Sequence, residues 1–153
     1  MALRSQRRYL DTRIDCFMSE TAERGGFVVA SSVGSGVALD SASQVVTYAA
    51  NPSGKSAVGL LSCDVVNIDL TRQKLNVHKE EVQINTKVTI VTKGTVTTNR
   101  IYPGVTPAAH ATAYLAPSGL VHTADIVGSN IVLGKFDTIK DEEGFATISF
   151  NLP

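Results

Sequence analysis

The residues best equipped for chemistry in this chain are the run Asn51-Pro52-Ser53-Gly54-Lys55-Ser56, three histidines and a few carboxylates. The run ends as a phosphate-binding loop ends, with a lysine and a hydroxyl placed to hold phosphate oxygens. Such a loop also needs a glycine where Ala49 stands and a helix after Ser56, where Ala57–Leu70 reads as a strand. A β-turn is expected instead, because proline presets φ and glycine accepts a positive φ. Gly34-Ser35-Gly36 has Leu39 in place of the third glycine of a dinucleotide fingerprint. His78, His110 and His122 fit neither HExxH nor a Cys/His zinc spacing, and no serine lies in a G-x-S-x-G elbow. Asp141-Glu142-Glu143 reads as a solubilising turn, and Asp64 and Asp69 as buried carboxylates in structural ion pairs. Cys16 and Cys63 are the only cysteines and need no disulfide; both are expected to be reduced and mostly buried. No nucleophile, base or metal set converges. The expectation is no enzyme, no cofactor, no metal and no small-molecule substrate.

Arginine is distributed unevenly. Arg4, Arg7, Arg8, Arg13 and Arg24 precede the first lysine, Lys55. Bidentate guanidinium groups suit an anchor that pairs with carboxylates or phosphates on a partner, whereas a solvated tail is the ordinary state of a terminus. Leu10, Ile14, Phe17 and Met18 recur at helical spacing, while Ile14, Cys16 and Met18 also alternate as a strand would. Too short to fold alone as a helix, the segment reads as an arm, residues 1–24, that orders on a partner. Gly25-Gly26 is the expected hinge into a body, residues 25–153, that would fold without it.

The body reads as strands: Phe27–Ser31, Gln44–Ala50, Ala57–Leu70, Lys87–Ile101, Ala111–Leu115, Gly119–Thr123, Ile131–Phe136 and Phe145–Leu152. Val33-Gly34-Ser35-Gly36, Asn51–Gly54, Tyr102-Pro103-Gly104 and Pro117-Ser118-Gly119 punctuate them. Gly94 is expected to interrupt its strand as a bulge or tight turn. Thr71–Val82 lacks β-branched density and reads as a loop or a short helical turn. About eight short strands with turn signals every ~8–12 residues indicate an all-β barrel or sandwich.

At 153 residues, with 43% hydrophobic content, the chain can bury one real core. Its 14 basic residues balance 14 acidic ones, and it has no tryptophan, which argues against a nucleic-acid groove. No stretch approaches the ~18 apolar residues of a membrane span. The start, MALRSQRRYL, lacks the apolar run of a secretory signal, so synthesis in a cytoplasm-like compartment is expected.

The segments FMSETAERGGFVV (17–29), GVALDSASQVVTYAANPSGKSAVGLL (36–61), DVVNIDLTRQKLNVHKEEV (64–82), KVTIVTKGTVTTN (87–99), AYLAPSGLV (113–121) and VLGKFDTIKDEEGFATISFNLP (132–153) together cover most of the chain. In order and spacing they resemble the head decoration (capsid cement) proteins of tailed bacteriophages. The resemblance implies a small β-barrel or a jelly-roll or tulip-like sandwich with an extended N-terminal arm. It also implies a non-enzymatic protein made in the host cytoplasm and carried on the outer capsid surface of the virion. Its partners would be the major capsid protein and itself, as a dimer or trimer, with no nucleic acid and no membrane. No individual residue role is carried over from the family. The arm residues Arg4, Arg7, Arg8, Leu10, Arg13, Ile14, Phe17 and Met18 are the expected capsid-binding set. A tail- or fibre-associated β-domain is the alternative, and a single-strand nucleic-acid module a more distant one.

Overall fold

A strand buried on both faces needs apolar residues at consecutive positions rather than alternate ones. Phe27-Val28-Val29 meets that need in a computed structural model that describes residues 3–4, 10–31, 45–65, 68–69, 74–75, 80–128 and 130–152. The strands among the described residues are β1 Leu3–Arg4, β2 Asp11–Met18, β3 Ala22–Glu23, β4 Phe27–Ala30, β5 Val45–Thr47, β6 Ala57–Asp64, β7 Ile68–Asp69, β8 Lys74–Leu75, β9 Glu81–Val82, β10 Lys87–Thr98, β11 Thr112–Leu115, β12 Val121–His122, β13 Val132–Phe136 and β14 Ala146–Asn151. Apart from one 3-10 turn at Pro117–Gly119, the regular structure described is β, as the turn-punctuated sequence implied. The expected turn Val33–Gly36, together with His78 and most of Thr71–Val82, lies outside the described residues.

The long strand β10 organises the rest. Its N-terminal half pairs with β2 on one side and β6 on the other, and β2, β5, β4 and β6 follow in order, so five strands close into a ring. All contacts in the ring are antiparallel except β2 with β5. The C-terminal half of β10 pairs with β14, from which β13, β11 and β12 continue; a bridge from Val121 to Ile101 brings β12 back beside the end of β10. The ring encloses Cys16, Met18, Val28, Val46, Leu61, Val88 and Ile90. Phe27, Val29 and Leu60 instead face the second sheet and pack with Leu115, Leu133, Phe136, Ile148 and Phe150. Phe27 meets Phe150 edge-on, with centroids 5.0 Å apart, the arrangement favoured by the ring quadrupoles.

Closing so few strands requires sharp coiling, which β-bulges supply. Between the pairs Cys16–Val88 and Arg13–Ile90, two residues of β2 oppose one of β10. Between Cys63–Thr89 and Leu61–Ile90, β6 carries an extra residue in the same region. Gly59 lies where β6 crosses β10 most closely, since a Cβ there would fall 2.4 Å from the Val91 carbonyl oxygen. Gly94 does not interrupt β10: pairing with β14 runs without a shift from Lys93 to Thr98, through Gly94 opposite Phe150. Its φ of 142° falls where β10 changes partners.

Two expectations about the N-terminus do not match the fold. Residues 11–24, assigned to an arm outside the body 25–153, are built into it: β2 is a wall of the ring, and Cys16 and Met18 are fully buried in its core. The alternation of Cys16 and Met18 carries the relevant signal, Ile14 being displaced from their row, and the helical spacing of Leu10, Ile14, Phe17 and Met18 is coincidental. Nor is Gly25-Gly26 a hinge. Gly25 N–H donates to the Leu61 carbonyl and Leu61 N–H to the Gly26 carbonyl, each at 2.9 Å, and the Thr98 hydroxyl donates to the Gly25 carbonyl at 2.8 Å. Both glycines are buried, and what they provide is close approach. Cys16 and Cys63 are free, and burial pushes the Cys16 thiol up to about 11.

Candidate interaction surface

Register along β10 determines where the start of the chain lies. Leu3 and Arg4 pair with Thr98 and Thr97, and Asp11–Phe17 pair with Lys93–Lys87, so β1 and β2 lie end to end along the same side of β10. The Arg4 backbone is therefore placed at the sheet; Arg7 and Arg8 lie outside the described residues.

The remaining arm residues divide by environment. Leu10 is 38% exposed and Ile14 59%. The bulge explains Ile14: the extra residue takes it out of the inward row that Cys16 and Met18 occupy. Arg13 grips Asp15 in its own strand with a two-pronged contact, Nε to Oδ1 at 3.0 Å and Nη2 to Oδ2 at 2.8 Å. That pairing raises the guanidinium and holds the Asp15 carboxyl below its usual range. Phe17 is half-buried with Lys87 Nζ 5.8 Å from its ring centroid. Met18 is core, not contact surface. Leu10 and Ile14 are thus the outward-facing apolar members of the predicted set, and Arg13 already has a partner.

A second polar constellation went unnoticed in the sequence. The Tyr48 hydroxyl donates to the Glu23 carbonyl at 2.7 Å and accepts from Gly26 N–H at 3.0 Å. Burial pushes this phenol up to about 12. Arg100 lies 5.4 Å over the Tyr48 ring and reaches the Ser118 carbonyl at 3.4 Å, while Arg24 binds Glu80 through Nε and Nη2 at 3.0 and 3.3 Å. Glu20 accepts from Thr47 Oγ1 and Tyr48 N–H at 2.8 and 2.9 Å. Through Arg100, which spans from the Tyr48 ring to the Ser118 carbonyl, this set joins the ring to the turn before β12. Their partners come from distant parts of the chain, and only Gly25-Gly26 and Pro117-Ser118-Gly119 hinted at a close backbone approach. No family model matches the sequence, and no curated protein matches it.

The other chemistry-bearing residues are held by local structure. Asn51–Ser56 is a turn, with Ser53 N–H bonded to Asn51 Oδ1 and Lys55 N–H to the Pro52 carbonyl, and a strand follows it. Asp141 Oδ1 accepts from the N–H groups of Glu143 and Phe145 at 3.0 and 2.8 Å, which makes the acidic run a structured turn. An open depression of about 560 Å³ beside β13 includes His110, Lys135 and Ser149. The Ser149 hydroxyl donates to the Asp137 carboxylate rather than to an imidazole. Among the described residues, no three His, Cys, Asp or Glu side chains gather as a metal set.

Asp69 has no described side chain, and Asp64 differs from expectation. Desolvation raises its carboxyl, backbone N–H groups of Asp64 and Gln83 partly oppose that rise, and Oδ2 is buried with no hydrogen-bond partner among the described residues. A carboxyl raised on folding stabilises the fold most below the ordinary carboxylate range, and that contribution is lost as pH rises through the folded value. Asp64→Asn is therefore expected to flatten the decline in stability between acid and neutral pH. Urea midpoints measured across that range check this, and an unchanged slope would place the pH dependence elsewhere.

Proposed function

We propose that this chain is a structural virion protein that binds the outer surface of an icosahedral phage head and reinforces contacts between major capsid proteins. It works by binding rather than catalysis, without a cofactor or nucleic acid. The observation that supports this best is the edge along β10, where the arginine-bearing start of the chain is joined to β2 with Leu10 and Ile14 facing outward. Together with the segment-by-segment resemblance to head decoration proteins, that edge suits adhesion to a protein lattice, on which many weak contacts repeated by symmetry add up. The capsid-facing residues are Arg4, Arg7, Arg8 and Leu10.

The test is sedimentation of the purified protein with empty expanded heads, followed by particle reconstruction and thermal rupture. A protein that binds the assembled lattice and not its free subunits stabilises the lattice by linkage, so decorated heads should rupture at a higher temperature than bare ones. Replacing Arg4, Arg7 and Arg8 together by Ala should weaken binding about tenfold and reduce its salt dependence, since each exposed pair contributes roughly 0.2–1 kcal/mol and is screened by ions. No binding, or equal rupture temperatures, would overturn the reading. Density on the tail instead of the head would assign the protein to a tail or fibre.

A further inference from the structure

We propose that the outward face of the second sheet, from β12 to β14, binds a neutral polysaccharide chain. Register decides which side chains share that face. Leu115 pairs with Val121 and both are buried, so Tyr114 and His122, the adjacent pair in the same ladder, point the other way. Val132 pairs with Tyr114 beyond a bulge and is 48% exposed. The Tyr102 ring stands beside His122, with centroids 5.3 Å apart and a tilt of 56°. A row therefore crosses the strands in the order Tyr102, His122, Tyr114, Val132. It leads into the open depression beside β13, which Val132 borders together with Thr112, two residues before Tyr114 on the same face. The floor there is bare at Gly134, where a Cβ would strike the Ser149 carbonyl oxygen. With strands about 4.8 Å apart, β12 to β14 spans roughly 14 Å, the length of a short oligosaccharide.

The chemistry of the face selects the ligand. A sugar ring is apolar on its C–H faces and polar around its rim. Aromatic faces carry the negative part of the ring quadrupole and attract C–H hydrogens, while hydroxyl groups need donors and acceptors beside them. His122 Nδ1 accepts from Ala124 N–H at 2.9 Å, which fixes the ring and leaves the imidazole proton on Nε2 as a donor. Lys135, Asn151 and Thr112 supply further donors and acceptors at the depression. A stacked nucleic acid would bring a phosphate with each base and need a basic stripe. Lys135 instead has Asp137 two residues along, and Asp137 accepts the Ser149 hydroxyl on this same face. A peptide strand finds no free edge, because β11, β13 and β14 are each paired on both sides. Ring faces interleaved with neutral hydrogen-bonding groups suit an uncharged sugar chain.

This face is separate from the capsid-facing edge along β10, so its test needs no heads and its failure leaves the capsid reading untouched. Native electrophoresis of the full chain through gels containing dextran, mannan, galactan or starch should show retardation by at least one polymer. Tyr114→Ala and His122→Ala should each weaken that retardation at least about fivefold, the loss of one ring face. Tyr114→Phe keeps the ring and should retain binding, which separates stacking from a general loss of the side chain. Circular dichroism verifies that each variant is folded. Mannose-rich glycans on a carrier glycoprotein form the second arm, because short protein-linked glycans share the chemistry of the free polymer. Binding to the polymer in preference to the glycoprotein supports a chain that spans the row, and the reverse preference would overturn it. Retardation by none of the polymers, or retardation indifferent to Tyr114→Ala and His122→Ala, would overturn the proposal. Binding confined to alginate or to single-stranded DNA would overturn it equally, by assigning the face to a polyanion.

Discussion

Deleting residues 1–24 is expected to unfold the protein. The deletion removes β2, and with it one wall of the five-stranded ring and two fully buried side chains, Cys16 and Met18. Removing a buried side chain the size of Met18 costs about 2–5 kcal/mol, and the ladder to β10 and the parallel pairing to β5 go with it. Against a total stability of roughly 5–15 kcal/mol for a typical domain, the loss leaves no native state. Deleting residues 1–9 should be far milder, because among the described residues it takes away β1 with the partly buried Leu3 and leaves β2 in place. Circular dichroism melts check both truncations; a cooperative, β-rich melt from 25–153 would show that the ring closes without β2.

Gly119→Ala should be among the most damaging single substitutions in the chain. Gly119 has φ of 72°, and a Cβ there would sit 2.4 Å from Tyr48 Cδ1 and 2.8 Å from the Phe27 carbonyl oxygen. The left-handed backbone disfavours any Cβ, by roughly 1 kcal/mol. Overpacking adds about 1–3 kcal/mol, because backbone stands on one side and a held ring on the other. The Tyr48 ring has little room to retreat, with its hydroxyl held by Glu23 and Gly26 and Arg100 over its face. A loss of about 3 kcal/mol in urea denaturation is the expected result, and a loss under 1 kcal/mol would mean the joint yields. Gly54→Ala is the control, since Gly54 has nearly the same φ of 71° and nothing within 4 Å of its Cβ position.

Much of the β content was readable because alternation and turn chemistry are local. Phe27–Ser31, Ile131–Phe136 and Phe145–Leu152 match β4, β13 and β14 to within a residue or two at their ends. Ala57–Leu70 was legible as β but not as two strands, β6 and β7. What could not be read was pairing. That Phe27 faces one core and Val28 another depends on β4 being a wall of the ring whose outer face is covered by the second sheet, and nothing within four residues encodes that. Fusion of residues 11–24 to the body was hidden for the same reason, since β2 has its partner about seventy to eighty residues away in β10. Of the predicted contact set, Leu10 and Ile14 face outward; Met18 was misplaced because an apolar residue in a strand reads alike whether it faces core or partner. Tyr48 and Arg100 carried no sequence signal, because a tyrosine after a strand and an arginine before a turn are commonplace in isolation.

The position of β10 also governs how the molecule would carry load. Arg4 and Thr147 flank the same residue, Thr97, so the first and last strands grip opposite sides of one strand near its end. Hydrogen bonds in antiparallel ladders run perpendicular to the strands. Tension between β14 and β10 therefore loads the ladder from Lys93 to Thr98 together in shear, where a peeling force would open it one bond at a time. A protein attached through its N-terminal stretch and braced through its second sheet would resist stretching as a lap joint does, by sharing the strain over the overlap.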